Sequence, residues 1–545
     1  MTTTVHWLSV PVEIDRERLN RVALQSGLTP TDEDTSDLLV DIQWSTEPDL
    51  TYDSLHRRPT DEAYRLDLGV TPSEHVTITV TGPRSLRWAL VDLREKITDP
   101  SWVEGRIRCS PSFVTRGLIE GFYGPPWTHE ARLDMVDFAA RNRLNTVMYA
   151  PKDDPYLRRD WRVPHAEASR DRLAEMIGRC RDLDIDAMVG ISPGLSMRYS
   201  SDEDADLLDA KIATLVEVGA TSIALLYDDI PDRLQHPGDI EAFPDLAAAQ
   251  CEVANRVHDK LRVAGIPLVV CPTIYWGEGD ETYISALGQG LDPRIDMFWT
   301  GRAICSPAIT ASEAAHFARV NNRPPLYWDN YPVNDVAMTA EMHIGAYQNR
   351  DPLLARFSNG VMANAMEYPE ASKIALATIS DYLWDADGYD AEISWVRAIT
   401  QVAGAQDAAA MLAFADTVRA SCLSDPEPVA LTEALQAFAF EVEYGDPDVA
   451  GEKLEAFAEE IRRAAAKLQA PDVENRTLQA ELVPWLTKYE LGAEAVSALA
   501  THACSDSSMT PEGVAAISHV LERLKEDDHR VFGDVLEMTL ADTIL

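Results

Sequence analysis

From Phe113 onward the chain alternates short apolar runs with longer amphipathic ones, eight times over. Each short run is dense in Val, Ile, Leu and Met and is bounded by polar or glycine-containing clusters, which predicts strands rather than helices. The strands fall at residues 115–120, 146–150, 186–191, 222–226, 267–271, 297–300, 326–328 and 361–364. The intervening segments read as helices: residues 128–143 place Leu133, Val136, Ala140 and Leu144 on one face, and residues 201–218 open on Ser201 with an acidic first turn. Eight such units predict an α/β fold with a closed TIM (β/α)8 barrel.

Outside that stretch the pattern changes twice. Before Ser112, period-two alternation marks strands at residues 5–12, 38–44 and 76–80, followed by a helix over 85–96, so a small α/β domain is expected at 1–112. Asp99-Pro100-Ser101 and Ser110-Pro111-Ser112 suit a boundary to a barrel over 113–390. Beyond Asp390 alanine-rich helical periodicity takes over at 408–421, 428–442, 452–468, 476–502 and 511–526, with breaks at Gly445-Asp446-Pro447 and Ala470-Pro471-Asp472. A C-terminal α-helical bundle over 391–545 follows. Such a bundle can pack on the barrel or pair with a second subunit, which leaves a homodimer open.

Charge and cysteine usage narrow the class of partner. With 90 acidic and 48 basic residues the net charge is −42, which argues against nucleic acid and anionic membrane surfaces. Cys109, Cys180, Cys251, Cys271, Cys305, Cys422 and Cys504 are scattered and odd in number, without a C-x-x-C pair, as expected of a reducing compartment. The first 25 residues lack a basic start and a continuous apolar stretch, and no later window reads as a membrane span. A cytoplasmic protein is expected. His129-Glu130 lacks the second histidine of a zinc helix motif and the histidines are dispersed, so neither a metal nor another cofactor is expected.

Chemistry gathers where the predicted strands end. The fourth runs into Tyr227-Asp228-Asp229-Ile230, two adjacent carboxylates that repel each other and can act as an acid and a base together. Alone, such a pair reads as a solvated turn; after an apolar strand in a barrel it points to the catalytic mouth. Lys152, in Ala150-Pro-Lys-Asp-Asp-Pro-Tyr156, offers three donors suited to sugar hydroxyls, or is a surface lysine beside Asp153 and Asp154. Gly121, inside Glu-Gly-Phe-Tyr-Gly, lets backbone approach a ligand and is too isolated for a phosphate loop. Taken singly, Trp328 reads as core packing, Cys271 as a small buried hydrophobe and Asn364 as a strand-end cap.

These clusters, with Cys271-Pro-Thr-Ile-Tyr275, Trp299-Thr300-Gly301 and Trp328-Asp-Asn330 through Asn334-Asp335, resemble glycoside hydrolase family 84, the β-N-acetylglucosaminidases that include protein O-GlcNAcases. The resemblance runs from about Phe113 to Trp384. It implies a retaining exo-enzyme that removes terminal β-linked N-acetylglucosamine from a glycoconjugate, or from Ser or Thr of a glycoprotein. The 2-acetamido oxygen of the substrate would be the nucleophile, forming an oxazoline. By that resemblance Asp228 orients and deprotonates the acetamido N–H, while Asp229 protonates the glycosidic oxygen and then activates water. Gly121 and Lys152 would hold the sugar; Cys271, Tyr275, Thr300 and Trp328 would enclose the acetamido methyl, and Asn330, Asp335 and Asn364 would bond the acetamido region or the hydroxyls. Ile274 departs from the glutamate that many relatives carry, which alters the outer cleft, and no acetyltransferase-like region of the kind in some animal relatives is seen. Two alternatives remain: a hydrolase of hyaluronan-type glycans on the same fold, which the net charge disfavours, and an inactive sugar-binding relative, which would not need both aspartates.

Overall fold

The computed structural model describes residues 3–32, 36–45, 62–69, 75–98, 104–423, 428–502 and 510–544; Asp99-Pro100 at the expected boundary and Cys504 lie outside them. The N-terminal region forms a six-stranded sheet from β1 (Thr3–Ser9), β2 (Leu28–Thr31), β3 (Leu38–Trp44), β4 (Tyr64–Leu68), β5 (Val76–Val80) and β6 (Gly105–Cys109). The order is β2-β1-β3-β5-β4-β6, with β4 antiparallel to both neighbours and the other pairings parallel. Alongside the expected helix, Pro83–Thr98, stands one that the sequence reading does not contain, Arg16–Gln25. That segment is mostly polar and buries only Leu19, Val22 and Ala23, so its apolar stripe is narrow, but Asp15 caps it by accepting from the Arg18 N–H at 2.7 Å.

The eight barrel strands are β7 (Thr115–Glu120), β8 (Thr146–Tyr149), β9 (Asp186–Ile191), β10 (Ser222–Leu226), β11 (Leu268–Cys271), β12 (Asp296–Trp299), β13 (Leu326–Asp329) and β14 (Gly360–Asn364). Each pairs in parallel with the next and β14 closes on β7. Burial on both faces explains why these strands read as continuous apolar runs rather than alternating ones. Ile119, Met148, Met188, Leu226, Phe298, Trp328 and Met362 fill the interior. The helices begin where their caps predict: Thr128 accepts from the Ala131 N–H, and Ser201 from that of Asp204.

The sheet region attaches beneath the barrel. Glu62 pairs with Arg116 at the start of β7, and the Arg116 guanidinium lies 5.3 Å from the ring centre of Trp384, whose indole also packs on Tyr64 and Trp88. At the C-terminal side the helices are Ala391–Ala403, Ala408–Asp416, Val429–Tyr444, Pro447–Leu468, Arg476–His502, Pro511–Glu526 and Val535–Ile544, the first and last of them additional to those expected. They pack on the barrel's upper rim: Trp395 Nε1 donates to the Ile344 carbonyl at 2.7 Å and Trp485 Nε1 to that of Ala340 at 3.0 Å. Both carbonyls belong to the long segment between β13 and β14. Among the described residues no helix is long and apolar enough to cross a membrane.

Candidate active site

The C-terminal ends of the barrel strands surround a cavity of about 400 Å³, and every residue singled out from the sequence lines it: Gly121, Lys152, Asp228, Asp229, Cys271, Tyr275, Thr300, Trp328, Asn330, Asp335 and Asn364. The two aspartates follow β10 after one intervening residue, Tyr227. In an extended strand neighbouring side chains would point to opposite faces. Here Asp229 takes a left-handed backbone (φ 55°), which an aspartate tolerates better than most residues and which breaks the alternation so that both carboxylates reach the cavity.

Their surroundings differ. The Asp228 side chain is 8% exposed, and its Oδ2 accepts from the Lys152 ammonium; its Oδ1 is buried and accepts no hydrogen bond among the described residues. Asp229 is 32% exposed at the mouth, accepting from the Tyr123 hydroxyl at 2.7 Å and the Tyr275 hydroxyl at 3.2 Å, with Lys152 Nζ 3.9 Å away. Burial pulls the Lys152 pKa down, but the charges of Asp228 and then Asp229 outweigh it and hold it above the ordinary lysine value. The lysine is therefore a fixed cation between two carboxylates. It also lies 5.8 Å from the Tyr123 ring centre and 5.7 Å from that of Trp328. Burial, followed by the Asp229 and Asp228 charges, raises the Tyr275 phenol pKa and keeps it a proton donor.

One wall is a linked amide array. Trp328 Nε1 donates to Asn330 Oδ1 at 2.9 Å, Asn364 Nδ2 donates to the same oxygen at 3.1 Å, and Asn330 Nδ2 donates to the Ile304 carbonyl at 2.9 Å. Asn364 Oδ1 is left buried with no partner among the described residues. A Cβ at Gly121 would come within 2.8 Å of both Ile119 Cγ2 and Trp328 Cζ2, so only glycine lets this backbone lie against the tryptophan. Asp335 accepts from the Tyr123 N–H at 2.7 Å, and burial raises its pKa above the usual carboxylate value. Thr300 is turned toward its own loop and donates to the Ala303 carbonyl at 2.7 Å, while Trp299 is buried behind the cavity against Phe317. Beneath the Gly-Phe-Tyr-Gly turn, Glu120 holds Arg132 through two bonds of 2.6 and 2.7 Å and accepts from the Trp127 N–H at 3.0 Å, fixing where Tyr123 stands.

The sequence gives Tyr123 no role of its own; its place two residues from Gly121 is the available signal. Phe298 on β12 also lines the cavity, with Ile304, Cys305, Val333 and Val336 to Met338, which come from segments between strands that carry no periodic pattern. Trp276, in the outer cleft next to the atypical Ile274, is 43% exposed. The sequence is expected to contain no Gly-x-Ser-x-Gly of a serine hydrolase, and that expectation is wrong as to the spacing, which occurs at Gly190-Ile191-Ser192-Pro193-Gly194. Its serine precedes a proline and a turn rather than a helix, and among the described residues no histidine bonds to its hydroxyl, so it is not a hydrolase elbow. Among the described residues no cluster of three His, Cys, Asp or Glu side chains could hold a metal ion.

Residues 116–416, more than half of the chain, match the model of the β-N-acetylglucosaminidase family. The chain belongs to that family. As a β-N-acetylglucosaminidase family member it is 29% identical over 352 residues to the protein O-GlcNAcases of Rattus norvegicus and Mus musculus; the match covers 61% of this chain and spans a little over a third, 37%, of theirs. An O-GlcNAc hydrolase variant from Thermobaculum terrenum superposes with a TM-score of 0.75 at 33% identity, covering 79% of this chain and 95% of that one. A solved structure named CpGH84B superposes with a TM-score of 0.84 at 25% identity over 99% of this chain and 96% of its own. These relatives place the family member within glycoside hydrolase family 84.

Proposed function

We propose that this chain is a retaining exo-β-N-acetylglucosaminidase in which the substrate's own acetamido oxygen displaces the leaving group to form an oxazoline, and that its substrates include N-acetylglucosamine on Ser or Thr of proteins. The observation that carries the mechanism is the buried Asp228 Oδ1, an acceptor without a partner beside a cavity of sugar size. A buried carboxylate oxygen left empty is costly unless something donates to it, and the acetamido N–H of a bound sugar is such a donor. Accepting that N–H directs the amide oxygen toward the anomeric carbon, and taking its proton makes the oxygen a better nucleophile. The Lys152 ammonium faces the other oxygen of the same carboxylate and fixes its orientation. Asp229, nearer solvent and held by two phenols, is placed to protonate the leaving oxygen and then activate water.

An enzyme carboxylate acting as nucleophile needs a partner carboxyl about 5 Å across the sugar, an arrangement that neighbouring residues serve poorly. A polyanionic glycan is disfavoured locally as well as by net charge, because the cavity lining carries Asp228, Asp229 and Asp335 against the single cation Lys152. The test is turnover of an aryl N-acetyl-β-glucosaminide beside the matching aryl β-glucoside. We expect hydrolysis of the first with the β-anomer released, and roughly 10³-fold or greater discrimination against the second, which lacks the internal nucleophile and its positioning. Comparable rates on both would overturn the reading.

A further inference from the structure

We propose that Arg158 is a positioning residue for the acid step: by donating to the Tyr123 hydroxyl it makes that hydroxyl a one-way donor and confines the transferable proton of Asp229 to Oδ1. The inference rests on the hydrolase reading above for the role of Asp229. Arg158 Nη1 donates to the Tyr123 oxygen at 2.8 Å, and its guanidinium lies 5.2 Å from the centre of the same ring. The Tyr123 hydroxyl in turn donates to Asp229 Oδ2 at 2.7 Å. Tyr123 lines the sugar cavity and Arg158 does not, so the arginine acts through the tyrosine rather than on the sugar.

In a chain with 90 acidic side chains the neighbouring arginines each meet a carboxylate, Arg159 on Asp160 at 2.8 Å and Arg162 on Asp204 at 2.7 Å. Arg158 pairs with no carboxylate among the described residues; its hydrogen-bond partner is the phenol. The segment that carries it, between β8 and the helix Glu167–Asp182, is pinned by the buried Leu157 and Trp161, and the Leu157 carbonyl accepts from the Ser192 N–H beyond β9 at 2.7 Å. The guanidinium is thus held against Tyr123 by the barrel itself.

A guanidinium can only donate, and a hydroxyl has one hydrogen to give. With Arg158 on its oxygen, Tyr123 directs that hydrogen at Oδ2. Turning it away so as to accept from Oδ2 would bring it against the arginine or leave it without an acceptor. A proton on Oδ2 would therefore face a second hydrogen, and Lys152, also a donor only, lies 3.9 Å from the same oxygen. Oδ1 has a different partner. Tyr275 donates to it at 3.2 Å, and nothing among the described residues donates to the Tyr275 oxygen, so this hydroxyl can turn and accept from a proton on Oδ1. In the step so organised the acetamido oxygen bonds to the anomeric carbon, the acetamido N–H proton passes to Asp228 and the glycosidic C–O bond breaks. The Oδ1–H bond of Asp229 breaks with it, and its proton goes to the leaving oxygen, which departs as an alcohol. The negative charge left on Asp229 is met at Oδ2 by Lys152 and by Tyr123, whose hydroxyl the arginine polarises.

The experiment compares kcat/KM, which reports the steps up to departure of the aglycone, on an alkyl and on an activated dinitrophenyl N-acetyl-β-glucosaminide. Arg158→Met should lower kcat/KM on the alkyl glycoside by about tenfold, the scale of one hydrogen bond to a charged group, and do so through kcat with KM unchanged. The dinitrophenyl substrate should stay within about twofold, because its leaving group needs little protonation. Arg158→Lys, which keeps a cation that can only donate, should recover most of the alkyl rate. In a Tyr123→Phe background Arg158→Met should change the ratio of the two substrates no further, since the hydroxyl through which it acts is gone. Equal losses on both substrates, an unchanged alkyl rate, or a full Arg158→Met effect in the Tyr123→Phe background would overturn the inference. Neutron diffraction from the deuterated full chain reads the same order without any variant. A deuteron on Tyr123 aimed at Asp229 Oδ2 supports it; one turned away from that oxygen, or a deuteron on Oδ2, overturns it. A chain that hydrolyses neither substrate contradicts the hydrolase reading and leaves the neutron result to decide the order of the hydrogen bonds.

Discussion

Asp228→Asn is expected to lower kcat on every N-acetylglucosaminide by about 10²- to 10³-fold, the scale on which removing one aimed electrostatic group acts on a reaction. The direction follows from hydrogen-bond bookkeeping at this side chain. Lys152 can only donate, so the amide introduced by the substitution must turn its oxygen toward the lysine now bonded to Oδ2. Its NH2 group then occupies the place of Oδ1, where the substrate's acetamido N–H should be accepted, and donor faces donor. The variant loses the base, Lys152 keeps only Asp229, 3.9 Å away, as a counter-charge, and the amide oxygen of the substrate is no longer steered. Because attack by the acetamido oxygen expels the leaving group whatever it is, activated aryl glycosides and alkyl glycosides should suffer alike. A variant within a few-fold of the unmodified enzyme on either class would remove Asp228 from this role.

Asp229→Asn should behave differently. General acid catalysis contributes about 10²- to 10⁴-fold where the leaving oxygen is basic and little where it is not. We therefore expect loss of that size on alkyl or seryl glycosides, much smaller loss on an activated aryl glycoside, and a steeper dependence of rate on leaving-group pKa. Tyr123 and Tyr275 donate to different oxygens of Asp229, so in the variant one phenol still donates to the amide oxygen while the other can turn its hydroxyl to accept from the new NH2 group; the position should be kept and the change should report proton transfer. Equal losses on both leaving groups would mean that Asp229 serves chiefly to bind.

The contrast between the two aspartates was only partly legible in the sequence. Tyr227-Asp228-Asp229 at the end of an apolar run marked the mouth of a barrel, because a strand buried on both faces leaves little ambiguity. Several barrel strands, among them Asp186–Ile191 and Ser222–Leu226, were legible to the residue for that reason. Which aspartate is sealed and which is open depends on the left-handed backbone at Asp229 and on Lys152 arriving from another strand, and neither leaves a periodic trace. The amide array around Asn330 depends on loop geometry of the same kind. In the N-terminal region the helix Arg16–Gln25 escaped because its apolar stripe is three residues wide. Strands β4 and β6 escaped as well: β6 is a short edge strand with arginines at 106 and 108, although the Tyr64, Leu66, Leu68 alternation of β4 was there to be read.

In the proposed mechanism the nucleophile belongs to the substrate. Aryl N-acetyl-β-glucosaminides whose acetyl group carries zero, one, two or three fluorines test it most directly, because each fluorine withdraws electrons from the amide oxygen while leaving the aglycone unchanged. If Asp228 Oδ1 serves the acetamide as proposed, kcat should fall steeply and monotonically along the series, and a thiazoline fused to the sugar ring should bind far more tightly than the substrate because it copies the shape of the intermediate. A flat series, with a covalent glycosyl-enzyme trapped on an aspartate by a 2-fluoro sugar, would contradict the claim and make an enzyme carboxylate the nucleophile.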